Sequence, residues 1–313
     1  MNGLNKSERD GLAVEKQQAA NKQAASLPPQ VVFTAGFDRA WHVYGLAEWL
    51  RRDGVEIAGV IVVSPYTLRR LRRRWRKQGL QGLWNAVPRL LGRGPGGGSK
   101  GGRAGESAGP LQRLLDRLAI TPGSLRSWTK RHDVPYHSVT SVNDEVAVRA
   151  IKQARPDWVV YGGGGILHTP FIEAAGGRIL NAHHGPLPEV RGMNACEWAL
   201  LLGHAPAVTI HLIDRGIDTG TTLTEYPVRV ASDDDIETLR SRCLALGMKG
   251  LRDTILNPPD TLPAPQQAPD RHRQCFTMAP ALREILVDRL GRGIVPLRDG
   301  ETICQEGQEG SNR

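Results

Sequence analysis

Four cysteines in 313 residues is a small number, and Cys196, Cys243, Cys275 and Cys304 stand far apart with no Cys-x-x-Cys pair among them. That spacing excludes a disulfide-stapled scaffold and argues against a zinc site. It suits a reducing compartment, so the expected location is cytoplasmic. Long apolar runs are missing as well. No stretch approaches the roughly 20 apolar residues that a membrane span requires. The polar start, with Lys6, Glu8, Arg9, Asp10, Glu15 and Lys16, reads as neither signal peptide nor anchor. Two phosphate signatures are lacking too. The turn after the first apolar strand reads Gly36, Phe37, Asp38, Arg39, Ala40, without the Gly-x-Gly-x-x-Gly of a dinucleotide site. The glycine run 162–165 lacks the Lys-Ser/Thr ending of a P-loop.

Hydrophobic residues make up 40% of the chain and include seven Trp, enough for a sizeable core, while 36 Gly and 21 Pro set a good share of the chain outside it. The formal charge is +9, from 41 basic against 32 acidic residues. Much of the excess lies in one run, Arg69, Arg70, Arg72, Arg73, Arg74, Arg76 and Lys77, broken only by Leu71 and Trp75. Such a run is either a patch for nucleic acid, acidic lipid or a phosphorylated substrate, or a solvated helix in an insertion.

The order of apolar patterns sets the fold class. An apolar run at Val31–Ala35, helical spacing of Val43, Leu46, Ala47 and Leu50, and a second run at Ile57–Val63 make a strand, helix, strand unit, hence a sheet that starts parallel. A stretch with Leu80, Leu83, Trp84, Val87 and Leu91 on one side predicts amphipathic helix, and Gly, Ser and Arg of low complexity from 92 to 110 predict a flexible loop. Helices are expected over 111–118 and 125–131, a strand over 134–139, a helix from about 141 to 155 and a buried strand at Trp158–Tyr161. A short helix from Thr169, a compact one over 194–202 and an edge strand over 223–230 follow. The stretch from Ser232 to Glu237, with its acidic residues, predicts a helix amino terminus. The chain divides into a disordered tail at 1–29, an α/β domain at 30–257 with a basic, glycine-rich insertion at about 66–110, and a Pro-rich segment with a short helix and polar tail at 258–313.

Two stretches carry the chemistry. Ile179 and Leu180 deliver Asn181 and His183, two apart and so on one side of a strand end, to a turn broken by Gly185, Pro186 and Pro188. An amide donor beside an imidazole can hold a developing oxyanion and manage a proton; equally, the pair can satisfy local backbone groups in a polar turn. The second stretch alternates through Val208, Thr209, Ile210, His211 and Leu212 and then turns through Asp214, Arg215, Gly216, Ile217, Asp218, Thr219 and Gly220.

Together these stretches resemble the folate-dependent formyltransferase family, which has Asn-x-His, then Leu-Pro and a Gly, then a Thr-x-His strand and an Asp-x-Gly-x-Asp-Thr-Gly-like loop. The matching residues are Asn181 and His183, Leu187 and Pro188, Gly192, Thr209 and His211, and Asp214 to Gly220. The resemblance covers about residues 31–256 outside the insertion and is most specific over 158–220. It implies a Rossmann-like open, mostly parallel twisted sheet with helices on both faces. It also implies an enzyme that moves a formyl group from the co-substrate 10-formyltetrahydrofolate to an amine. Carried over residue by residue, Asn181 would donate to the developing oxyanion, His183 would stabilise it or protonate the departing folate nitrogen, and Asp218 would hold the imidazole charged and take the amine proton. The pterin would lie on backbone of Gly164, Gly165, Ile166 and Leu167 and of Asp214, Arg215, Gly216 and Ile217. His211 reads as a supporting or core histidine, and His183, His184 and His211 lack metal-ligand spacing.

Departures from the family pattern bear on the acceptor. His184 stands where relatives commonly have Pro, Gly185 and Pro186 replace Ser-Leu, and Met193 and Asn194 replace Ala-Ala of tRNA-directed relatives. Little chain beyond Leu256 remains for a tRNA-binding barrel. A small amine acceptor, for instance an amino sugar on a nucleotide, is therefore expected over initiator tRNA. The alternatives are methionyl-tRNA formylation, hydrolysis of the formyl donor and, outside enzymes, binding of nucleic acid or anionic membrane through the Arg-rich run.

Overall fold

The computed structural model describes residues 28–64, 109–231, 233–263 and 274–292. The tail through residue 27, the Arg-rich run, the amphipathic stretch 79–91, the glycine-rich stretch through 108 and the polar tail past 292 lie outside the described residues.

The first strand is Gln30–Ala35 (β1), followed by helix Trp41–Arg52 (α1) and strand Glu56–Val63 (β2). Helices Pro110–Arg117 (α2) and Leu125–Arg131 (α3) precede strand Tyr136–Val139 (β3), helix Glu145–Ala154 (α4) and strand Trp158–Gly162 (β4). Then come helix Thr169–Ala174 (α5), strand Ile179–His183 (β5), the two-residue strand Arg191–Gly192 (β6), helix Ala195–Leu202 (α6) and strands Ala207–Leu212 (β7) and Thr222–Pro227 (β8). Helix Ile236–Leu256 (α7), strand Gln274–Cys275 (β9) and helix Pro280–Gly291 (α8) complete the described chain. The strands expected from apolar runs form where β-branched residues cluster, because those side chains suit a pleated surface buried on both faces.

Seven strands make one sheet in the order β3-β2-β1-β4-β5-β7-β8. The first five are parallel, and β5 with β7 and β7 with β8 are antiparallel. Starting at β1 the chain moves outward through β2 to β3, then returns and builds the other half from β4. The strand order therefore reverses between β1 and β4, and in open α/β sheets the crevice at the carboxyl ends beside that point is where ligands bind. Apolar layers close both faces. Phe33, Val60, Leu180 and Ile210 pack with α1, α2, α3 and α7 on one side, and Ile61, Val159 and Ile179 pack with α4 and α5 on the other.

Helix α7 begins at Ile236, within the acidic stretch expected to hold a helix amino terminus: Asp235 caps it by accepting from Thr238 N at 2.7 Å, Glu237 lies in its first turn, and Asp234 turns inward to pair with the Arg242 guanidinium. A carboxylate that is almost buried is better held by a guanidinium than by a helix dipole. The segment after the Pro-rich stretch also does more than carry one helix, since Gln274 and Cys275 pair with Arg191 and Gly192 in a second, two-stranded sheet. Between α1 and α3 lies a buried carboxylate, Glu48, which accepts from Arg52 Nε at 2.8 Å, Arg51 Nε at 3.0 Å and Trp128 Nε1 at 3.0 Å. Burial works against its charge, yet these bonds hold its carboxyl down at about 2.

Candidate active site

The end of β5 and the loop after β7 bring three of the sequence-derived candidates together. Antiparallel pairing sets Asn181 opposite His211 and His183 opposite Thr209. The four side chains therefore share one face of the sheet. Asp218 reaches them from the loop, where its own backbone is left-handed, φ 52°. Its Oδ2 lies 3.4 Å from His183 Nδ1 and its Oδ1 lies 3.7 Å from His211 Nε2. The rings of His183 and His211 meet edge to face with centroids 6.2 Å apart.

Hydrogen bonds fix how each ring presents its nitrogens. A carbonyl oxygen only accepts, so His183 donates through Nε2–H to Val190 O at 2.7 Å, which leaves Nδ1 as the nitrogen that faces Asp218. By the same logic His211 donates through Nδ1–H to Leu212 O at 2.8 Å. Burial, outweighing the attraction of the Asp218 carboxylate, lowers His211 to about 4. The ring is then neutral, and its bare Nε2 accepts from Asn181 Nδ2 at 3.0 Å. That bond orients the amide: one N–H of Asn181 is held by His211, and the second is left for a ligand.

The turn after His183 is braced from β7. Thr209 donates its hydroxyl to Gly185 O at 2.7 Å and accepts from Leu187 N at 3.3 Å. Further on, Gly192 N donates to Asp218 Oδ2 at 2.8 Å, so the loop that carries β6 positions the carboxylate. The carboxyl-terminal segment holds that loop in turn. Cys275 O accepts from Met193 N at 3.0 Å, Phe276 O accepts from Trp198 Nε1 at 2.7 Å, and Met278 N donates to Asn194 Oδ1 at 3.1 Å. Gly192 permits the approach: at φ 98° a Cβ there would lie 2.0 Å from Cys275 O. Sequence reasoning missed this strap and the parts of Val190, Gly192 and Thr209. Gly192 and Thr209 had a signal, as matches to the family motif, and Val190 had none.

The two loops expected to hold a pterin flank the constellation differently. The glycine loop is latched from outside, with Asn143 Nδ2 donating to Ile166 O at 2.8 Å, Tyr161 OH to Gly165 O at 2.7 Å and Thr34 Oγ1 to Gly163 O at 3.1 Å. Gly164 sits at φ 125°, where a Cβ would be 2.5 Å from Val142 Cγ1, whereas Gly165 faces open space. Ile166 is exposed and Leu167 buried. The other loop is held from within, because Asp214 Oδ1 accepts from Gly216 N at 3.0 Å and from Thr219 Oγ1 at 2.6 Å, while Arg215 pairs with Glu173 on α5. Asp214 thus shapes the loop with its side chain, and Arg215 points away from the constellation toward α5.

On the opposite face of β5, Ala182 and His184 border a cavity of about 160 Å³ between the sheet, α1 and α7, with Asn181 also in its wall. His42, Leu46, Leu244 and Met248 line it as well. Burial is the main cause that lowers His42 to about 4 and His184 to about 3. Among the described residues no group of three His, Cys, Asp or Glu side chains is arranged to hold a metal ion, and no helix is long and apolar enough to cross a membrane.

Residues 117–255 match the family model described as Formyl transferase. A methionyl-tRNA formyltransferase of Trichlorobacter lovleyi is 30% identical over 138 residues, 44% of this chain and 44% of that protein. A trifunctional purine biosynthetic protein adenosine-3 of Drosophila melanogaster is 33% identical over 103 residues, 32% of this chain and 8% of that protein. The chain thus spans under half the length of these curated relatives. Among solved structures, a phosphoribosylglycinamide formyltransferase from Bacillus halodurans has a TM-score of 0.47 at 20% identity, over 72% of this chain and 93% of that one.

Proposed function

We propose that this chain, whose residues 117–255 match the formyl transferase family model, transfers a formyl group from 10-formyltetrahydrofolate to the primary amine of a small acceptor. The observation that carries the reading is the contact of His183 Nδ1 with Asp218 Oδ2 at 3.4 Å beside an Asn181 amide oriented by His211. The unit assigned to this chemistry is 30–257, with the strap at 274–278 supporting it.

The donor supplies an activated one-carbon group on nitrogen. Attack by an amine forms a new N–C bond, breaks the bond to the folate nitrogen and must move one proton from the incoming to the departing nitrogen. The free N–H of Asn181 is a donor for the formyl oxygen as negative charge grows there. His183 Nδ1 is the nitrogen able to exchange that proton, since Nε2–H is committed to Val190 O. Asp218 stabilises the imidazole while it is charged and collects the amine proton, directly or through water. The loop residues fit a flat donor ring. With no Cβ and open space beside it, Gly165 lets a flat ring approach the glycine loop, and the self-braced loop of Asp214 to Ile217 supplies a second backbone edge.

The identity shared with methionyl-tRNA formyltransferases supports a second acceptor, an aminoacylated tRNA. The test is incubation of the full chain with 10-formyltetrahydrofolate and a panel of primary amines, including amino sugars, sugar nucleotides and methionyl-tRNA, read by mass of the N-formyl product and by formate release. An N-formylated small amine is the expected outcome. Formate alone would replace transfer by hydrolysis, and no consumption of the donor would sink the enzyme reading.

A further inference from the structure

The loop 163–168 is not held by its own backbone. Gly163, Gly164 and Gly165 stand in succession at φ 104°, 125° and 113°, a region that glycine enters without strain and without preference. Among the described residues no backbone–backbone hydrogen bond reaches residues 164–167. Side chains fix the loop instead. Asn143, just before α4, spans three residues with one amide: Nδ2 donates to Ile166 O at 2.8 Å and Oδ1 accepts from His168 N at 2.7 Å. Tyr161, near the end of β4, closes on Gly165 alone, its hydroxyl donating to Gly165 O at 2.7 Å and accepting from Gly165 N at 3.3 Å. Both anchors are themselves fixed. Next to Asn143, Asp144 Oδ2 accepts from Thr140 N and Thr140 Oγ1, each at 2.7 Å, and from Ser141 N at 3.0 Å, while the buried Val142 packs against Gly164. Tyr161 and Asn181 follow the paired residues Val160 and Leu180, so they project from the same face of the sheet.

We propose that Asn143 and Tyr161 are positioning residues for the formyl donor: their clamp holds the glycine loop in the shape that the donor ring lies against, and so sets donor affinity without entering the chemistry. The inference rests on the formyl-transfer reading and adds to it what holds the co-substrate's platform in place. Three successive glycines let a flat ring approach, yet they also give an unclamped loop many shapes, and apparent affinity falls with the fraction of time that the binding shape is occupied. A loop in that shape about a tenth of the time binds about tenfold more weakly. The clamp is in place before the ring arrives, which lowers the ordering that binding must supply. Both polar groups are committed to the loop, so neither is available to the proton that moves between amine and folate.

The test titrates the full chain with tetrahydrofolate by calorimetry, measures donor KM and kcat with the amine that the parent formylates, and follows amide exchange at Gly165 and His168. N143A and Y161F should each weaken tetrahydrofolate binding and raise donor KM by about tenfold, with kcat changed by less than about twofold. Because one loop carries both contacts, the double variant should lose less than the roughly hundredfold that independent contacts would give. N143A should also speed exchange at Gly165, and Y161F at His168, amides that the substituted side chain does not itself touch. Urea unfolding checks that the variants fold. Should Asn143→Ala fail to, Asn143→Asp takes its place, since it keeps an acceptor for His168 N and loses the donor to Ile166 O. Unchanged affinity in both variants, a fall in kcat equal to the fall in affinity, or faster exchange only at the amide that each side chain touches would overturn the proposal. Weakened tetrahydrofolate binding in the variants of a parent that formylates no amine would support the clamp and sink the transferase reading. Formyl transfer with affinity unmoved by either substitution would do the reverse, and a parent that binds no tetrahydrofolate would sink both.

Discussion

His183 and His184 are neighbours in sequence, yet they face opposite sides of β5 into different chemistry. His183 meets a carboxylate at 3.4 Å and gives its other nitrogen to a backbone carbonyl. His184 meets aliphatic walls and a second imidazole, and burial pushes it down to about 3. The alternation of a strand separates a ring beside a carboxylate from a ring among aliphatic walls within two residues. For His184 it is burial, not residue type, that keeps the ring neutral.

The largest effect should come from the face that meets Asp218. His183→Gln keeps polar atoms in place but removes the proton exchanger, so turnover should fall by about a hundred- to ten-thousand-fold. Unchanged single-turnover formyl transfer would erase the distinction between the faces. Next is the strap. Gly192→Ala forces a Cβ to within 2.0 Å of Cys275 O at a positive φ. It should cost about 1–3 kcal/mol of stability and lower turnover through the lost Gly192 to Asp218 bond. Urea unfolding with an unmoved midpoint would show that the strap is incidental.

Smaller and more diagnostic is His211→Leu. It leaves the Asn181 amide without its acceptor, with an expected loss of about 1–3 kcal/mol of stability and about tenfold or more in turnover. His211→Gln, which restores an acceptor oxygen, should recover part of both. If Leu and Gln variants behave alike, His211 only fills space. The least effect is on pH. His42, His184 and His211 have folded values of about 4, 3 and 4, below their ordinary 6.5. The unfolded chain therefore binds more protons between those values and 6.5. Stability should be greatest above pH 6.5 and fall as pH drops through that window. H184F should flatten this slope, and a slope equal to that of the parent would show that His184 does not resist protonation in the fold.

How much of this was legible in the sequence depends on how local each feature is. Period-two reasoning set Asn181 and His183 on one side of a strand end, and the turn glycines around Asp218 marked a loop able to reach them; in space the three lie in one constellation. The parallel start of the sheet followed from one strand, helix, strand unit. Long-range partners were not legible. Phe276 O meets Trp198 across 78 positions, and Glu48 meets Trp128 across 80. No periodicity encodes such pairs, which form only once the sheet has set the distance between elements. The acidic run did mark the start of α7, capped by Asp235, but the inward pairing of Asp234 with Arg242 was not legible in it.

The central claim is that the Asp218 carboxylate works through His183 Nδ1 to carry the proton of formyl transfer. Asp218→Asn keeps the size and the bond from Gly192 N while removing the charge. Single-turnover transfer from 10-formyltetrahydrofolate should be measured on this variant beside a titration of folate binding. Transfer should drop by about a hundred- to ten-thousand-fold with folate affinity nearly intact; transfer at the parent rate would contradict the account and give the proton path another owner.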